Sequence, residues 1–111
     1  KIADFECASA VGVCIQGIHG TLCYCAPETL HPTQDARGRD VWGVGCILVE
    51  LLTLDLPDLG IESCPPAHFL CRMANLKCDP LLPSELDAHP TAKEFATDCL
   101  KVCPEHRPKL S

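Results

Sequence analysis

Cysteine and histidine are the first residue types in this chain whose spacing permits chemistry. Cys14, His19, Cys23 and Cys25 offer four ligands of the kind that zinc takes in a tetrahedron. Their spacing is irregular and lacks paired Cys-x-x-Cys knuckles, which weighs against a metal centre. Ten cysteines in 111 residues would mean a disulfide framework in a short secreted protein. Cys64, Cys71 and Cys78 recur every seventh residue, but across a proline pair and into a loop, so the repeat is a coincidence. His31, His68, His89 and His106 fall near loops or helix ends, with no carboxylate arrangement that suggests catalysis. Four further clusters stand out in chain order: Asp4-Phe5-Glu6, the run from Gly20 through Thr21, Leu22, Cys23, Tyr24, Cys25, Ala26 and Pro27 to Glu28, then Asp40-Val41-Trp42-Gly43-Val44-Gly45, and Cys99-Leu100 followed by Pro104-Glu105-His106-Arg107-Pro108. Alone, an Asp at a strand end such as Asp4 is most simply a turn former.

The elements that must position these clusters are mostly helical. Lys1 to Phe5 alternates weakly and predicts a short strand. Residues 7 to 25, punctuated by Gly12, Gly17 and Gly20, predict a long loop. Pro27 suits the first position of a short helix over 27–31, where its missing N–H costs nothing. Asp40 is placed to cap a helix from Val41 to about Thr53. That helix is apolar almost all round and requires partners on several sides. Gly43 and Gly45 inside it each cost about 1 kcal/mol against alanine, which implies close packing. Pro66 opens a second helix to about Lys77, with Phe69, Leu70, Met73 and Ala74 as its apolar stripe. Pro80, Pro83 and Pro90 make 78–90 irregular. Thr91-Ala92-Lys93-Glu94 reads as a capping box. Ala92, Phe95, Ala96, Cys99 and Cys103 then give a third helix one apolar face, ended by Pro104.

Composition narrows the class. Nine Lys and Arg against fifteen Asp and Glu leave a net charge of −6, which argues against a general nucleic-acid or membrane-surface binder. The hydrophobic content of 47% is that of a globular chain. The opening residues have no apolar run and are not a signal peptide. Val41 to Leu54 is too short for a membrane span and contains Glu50. Opening on a strand-like pattern without Met suggests a start inside a larger reading frame.

In their order and spacing the four clusters resemble the C-terminal lobe of a eukaryotic serine/threonine protein kinase. Asp4-Phe5 is similar to the Asp-Phe-Gly metal motif, and Ala26-Pro27-Glu28 to the Ala-Pro-Glu motif that closes the activation segment. Asp40-x-Trp42-x-x-Gly45 resembles the start of the central buried helix, and Arg107 the arginine that pairs with the motif glutamate. Gly20-Thr21-x-x-Tyr24 has the serine/threonine rather than the tyrosine form, and Ala67 to Leu110 is similar to the MAP kinase kinase kinase branch. The resemblance implies a mainly α, partial kinase-like lobe: short strand, activation segment, buried helix and two or three further helices. It divides the chain into a metal motif and activation segment over 1–28 and a helical part over 29–111. It implies ATP and Mg²⁺ as cofactors of the complete domain, with Asp4 as the carboxylate on Mg²⁺. Gly20, Thr21, Leu22 and Tyr24 would position a protein substrate. Glu28 and Arg107 would form a buried ion pair, and Asp40 would anchor the catalytic loop. Phe5, Glu6, Ala26, Pro27, Trp42 and Gly45 would be structural motif positions. Protein substrates and upstream regulators are the implied partners, with no nucleic acid and no membrane, in the cytoplasm, where free thiols are the default and Cys23 and Cys25 are the candidates for oxidation.

The chain also departs from that pattern. Glu6 replaces a glycine whose backbone freedom permits the motif to flip. Val11 to His19 carries no hydroxyl for activation by phosphorylation. Asp58 follows Pro57 where the family often has an aromatic. No Gly-rich loop, strand lysine or His-Arg-Asp catalytic loop occurs in the 111 residues. The expectation is therefore a piece of a kinase domain, ending before the family's last helix, inactive alone and binding neither cofactor tightly. The alternative is a pseudokinase or kinase-derived interaction module.

Overall fold

The computed structural model describes residues 24–30, 37–61 and 65–109. Helix α1 spans Arg37–Thr53, α2 spans Pro66–Ala74 and α3 spans Pro90–Cys99. Short 3₁₀ turns cover Pro27–Leu30, Ser84–Ala88 and Pro104–His106. A single antiparallel bridge, Asp58 with Leu81, is the β pairing among the described residues. The architecture is mainly α, as the sequence predicts.

α1 is the axis. Val41, Trp42, Gly45, Cys46 and Val49 are its buried residues, a stripe with the three-and-four spacing of one helix face. Met73 from α2, Leu86 from the second 3₁₀ turn, Ala96 from α3 and Leu100 complete the core. α1 and α3 meet at Gly45. A Cβ there would lie 2.8 Å from the Cys99 Cβ and 2.9 Å from the Leu100 Cγ. Hydrogen in place of a methyl group is what permits this crossing. Gly43, two residues earlier, has nothing within 4 Å of its Cβ position. Close packing therefore explains one of the two glycines.

The prolines mark starts well. Pro27 and Pro66 open elements where the sequence places them. Five expectations change. α1 begins at Arg37, not Val41, so Asp40 lies within the first turn and is not its cap. The added turn is held from outside, because the Arg107 Nη1 donates to the Gly38 carbonyl at 2.8 Å. α2 stops at Ala74, three residues before Lys77, where the Asn75 side-chain amide donates to the Cys71 carbonyl at 2.8 Å. The stretch 78–90 contains a 3₁₀ turn that buries Leu86. In α3 the capping box does not form. Pro90 takes the first helical position, His89 becomes the cap, and no side chain caps the amides. Thr91 is thus inside the helix. α3 also ends at Cys99, well before Pro104, because Leu100 turns inward against Gly45. Cys103 consequently lies outside it, and Phe95 is exposed.

The opposite face of α1 differs from the buried one. Val44, Ile47, Leu51 and Leu52 are exposed, and so is Leu54 just past its end. Leu54 adopts a positive φ of 61°, a strained conformation for a side chain branched at Cγ. The Thr53 hydroxyl pins this exit, donating to the Val49 carbonyl at 2.8 Å and accepting from the Asp55 amide at 3.2 Å.

Candidate functional site

The described part of the site starts at Tyr24. Its hydroxyl donates to the Glu50 Oε2 in α1, tying the segment before Ala26 to the central helix. The Thr29 hydroxyl and amide both donate to the Ala26 carbonyl, at 2.6 Å and 3.0 Å. These bonds close the 3₁₀ turn at Pro27 and fix the direction of Glu28.

Glu28 points at Arg107. The Arg107 Nη1 donates to Oε1 at 2.6 Å and Nη2 donates to Oε2 at 2.9 Å. This is the bidentate fork geometry that guanidinium and carboxylate favour. The remaining donors are also used: Nη1 to the Gly38 carbonyl at 2.8 Å, Nε to the Lys101 carbonyl at 2.7 Å and Nη2 to the Val102 carbonyl at 3.3 Å. All five guanidinium N–H groups therefore have acceptors. The guanidinium carbon lies 5.0 Å from the centroid of the Trp42 ring, a cation–π contact. The Arg107 side chain is fully buried and that of Glu28 keeps 17% of its surface. A charge so buried is tolerated only because it is paired and fully hydrogen-bonded.

Asp40 lies one turn into α1, beside this corner. Burial pushes its carboxyl above the ordinary value of 3.8, although much of the residue faces water. Trp42 and Gly45 lie on the buried face, the first beneath Arg107 and the second against α3. Ala26 and Pro27 are buried. Cys25 is buried as well, which argues against it as an exposed redox thiol. None of the six described cysteines is in a disulfide. Burial and the neighbouring Asp98 raise the Cys99 thiol pKa, with Arg107 opposing them. Asp4, Phe5, Glu6, Gly20, Thr21 and Leu22 lie outside the described residues, as do Cys14, His19 and Cys23. Among the described residues no group of three His, Cys, Asp or Glu could hold a metal ion.

Sequence reasoning missed two contributors. Glu50 is the partner of Tyr24, and its signal was a lone acid inside the apolar run of α1. Gly38 gives its carbonyl to Arg107 and leaves room for the Pro104 Cβ, 3.4 Å from where its own Cβ would stand. Nothing in the local sequence marks it.

The helical lobe is thus built on a Trp-bearing axial helix, with an Ala-Pro-Glu turn clamped to an arginine 79 positions away. The chain belongs to the protein kinase domain family, whose sequence profile matches residues 1–111. Among curated proteins it is similar to mitogen-activated protein kinase kinase kinase 18 of Arabidopsis thaliana, 36% identical over 102 residues, covering 91% of this chain and 30% of that protein. It is similar to mitogen-activated protein kinase kinase kinase A of Dictyostelium discoideum, 31% identical over 111 residues, covering 97% of this chain and 11% of that protein. It is also similar to mitogen-activated protein kinase kinase kinase 1 of Homo sapiens, 30% identical over 115 residues, covering 97% and 8%. The chain thus spans less than a third of the length of these relatives. No helix among the described residues is long and apolar enough to cross a membrane.

Proposed function

We propose that this chain is the activation segment and helical lobe of a cytoplasmic serine/threonine protein kinase of the MAP kinase kinase kinase branch. The complete domain transfers the γ-phosphoryl group of ATP to a protein hydroxyl. The observation that carries the reading is the clamp of Glu28 by Arg107, since it anchors the end of the segment that presents substrate. On this reading residues 1–28 hold the metal motif and activation segment, and 29–111 form the helical support. Asp4 provides the carboxylate for Mg²⁺, which when bound neutralises charge on the transferred phosphoryl group. Thr21, with Gly20, Leu22 and Tyr24, positions the substrate hydroxyl. Asp40 orients the catalytic loop by accepting from its backbone, which explains a partly buried carboxyl at that turn. The 111 residues contain no His-Arg-Asp base and no strand lysine, so the chain alone transfers no phosphate and binds ATP and Mg²⁺ weakly.

A second reading, a pseudokinase or kinase-derived interaction module, is favoured by Glu6, a carboxylate where the family has glycine, and by the hydroxyl-free stretch from Val11 to His19. One assay separates the two. Transfer of labelled γ-phosphate to a generic protein substrate is measured for the longest polypeptide carrying this chain, with Asp4→Asn as its partner variant. Transfer that Asp4→Asn abolishes, with unchanged thermal stability, supports the kinase. No transfer from a folded, ATP-exposed protein supports the interaction module, and transfer by the isolated chain would sink the first reading's account of the missing base.

A further inference from the structure

Beyond the C-terminal end of α1 lies a cleft of about 360 Å³, between the loop that leaves that helix and the segment that precedes α3. The antiparallel bridge joins its two walls, with the Asp58 amide donating to the Leu81 carbonyl at 2.8 Å and the Leu81 amide donating to the Asp58 carbonyl at 2.9 Å. Its lining mixes apolar and acidic side chains. Leu56 and Leu81 are 37% and 71% exposed, and Leu82 and Pro83 line the same space. The charges at the rim are all of one sign: Asp55, Asp58 and Glu85, with no lysine or arginine in the lining. The ion pairs of Lys93 with Asp87, Lys101 with Asp79 and Arg107 with Glu28 involve none of these three carboxylates. A cleft that sets leucine side chains beside carboxylates with no cation in its lining selects its occupant by charge.

We propose that this cleft docks a basic, apolar linear segment of a partner protein. An aliphatic side chain of the segment rests against Leu56 and Leu81, and flanking arginine or lysine side chains meet Asp55, Asp58 and Glu85. A second copy of this chain is disfavoured because each copy carries a net charge of −6. A segment of the chain itself is disfavoured because Lys1 is the one lysine or arginine among residues outside those described. The cleft is lined by none of the residues of the Glu28–Arg107 corner, so the inference does not depend on the phosphotransfer reading.

The test is fluorescence anisotropy of the full 111-residue chain with three labelled short peptides, alternating arginine–leucine, arginine–serine and glutamate–leucine. The arginine–leucine peptide should bind about tenfold tighter than either control, and more weakly as salt rises. The double variant Asp55→Asn with Glu85→Gln, and separately Leu81→Ser, should each weaken it about tenfold while leaving the circular dichroism spectrum unchanged. Equal binding of the arginine–leucine and arginine–serine peptides would overturn the proposal, since charge alone would then explain capture. Undiminished binding by folded Leu81→Ser would also overturn it. So would self-association of the chain that Leu81→Ser abolishes, which would assign the cleft to a second copy.

Discussion

The two faces of α1 are built from the same kinds of residue and meet opposite fates. One face carries Trp42, Gly45, Cys46 and Val49, and every one is buried. The other carries Gly43, Ile47 and Leu51 at four-residue spacing, and both large side chains are in water. Hydrophobicity does not distinguish them. What distinguishes them is a partner: Arg107, α3 and the segment after it cover the first face, while Ile47 and Leu51 on the second stay 49% and 73% exposed. A helix that is apolar all round announces that it will be surrounded, but not by which of its neighbours.

The largest way to break this contrast is at Arg107. Arg107→Ala leaves the Glu28 carboxylate half-sunk without its partner, frees three backbone carbonyls and removes the cation from Trp42. Losing one member of such a buried pair costs about 3–5 kcal/mol. At roughly 4–8 °C per kcal/mol for a domain of this size the melt should shift by well over 10 °C or be lost. An unchanged melting temperature would refute the clamp. Arg107→Lys should recover little, because an ammonium cannot form the fork.

Next come the two glycines, which should respond with opposite signs. Gly45→Ala forces a methyl group to within 2.8 Å of the Cys99 Cβ, an overpacking that costs about 1–3 kcal/mol and outweighs a helix-propensity gain of about 1 kcal/mol. Gly43→Ala meets nothing within 4 Å and should stabilise the chain by up to about 1 kcal/mol. Parallel denaturant titrations compare them directly, and a loss on Gly43→Ala would mean that the open face is in fact covered.

Smaller still is the double variant Ile47→Ser with Leu51→Ser. Exposed side chains that contact little should cost about 0.5 kcal/mol each or less, while solubility rises as the apolar strip shrinks. Solubility left unchanged by this variant would show that something in the chain already shields the strip. The smallest effect is that of Asp40. Burial raises its folded pKa above the ordinary 3.8, so the native state holds its proton more tightly than the unfolded chain does. Stability associated with this group is therefore highest below that value and falls as pH rises through the raised folded pKa. Asp40→Asn should flatten this fall in melts followed from acidic to neutral pH, and an unaltered pH profile would count against the burial of that carboxyl.

The sequence made some features plain and hid others for identifiable reasons. Pro27 and Pro66 fix their own dihedral and lack a donor, so their consequences are local and readable. The start of α1 was not, because Arg37, Gly38 and Arg39 take helical form with Arg107, far along the chain, bonded to the Gly38 carbonyl. Thr91 and Glu94 satisfy the pattern of a capping box, yet Pro90 fits the first helical position better and moves the cap to His89. Within the candidate site, the order of motifs singled out Glu28 and Arg107, whereas no spacing rule joins Tyr24 to Glu50. The mainly helical class came from periodicity, and the open face of α1 became visible only once its neighbours were in place.

Glu28 and Arg107 are 79 positions apart, and that separation bears on the order in which the chain acquires its shape. Drawing such distant points together costs on the order of 4 kcal/mol of chain entropy if nothing between them is yet ordered. The contacts among α1, α3 and the turns between them are shorter in range and must shorten the effective gap first. The clamp is therefore a late step in folding. On a ribosome it cannot form until Arg107 has emerged, 79 positions after Glu28. Until then the Ala-Pro-Glu turn is a strap held by its own Thr29 bonds and by Tyr24 on Glu50.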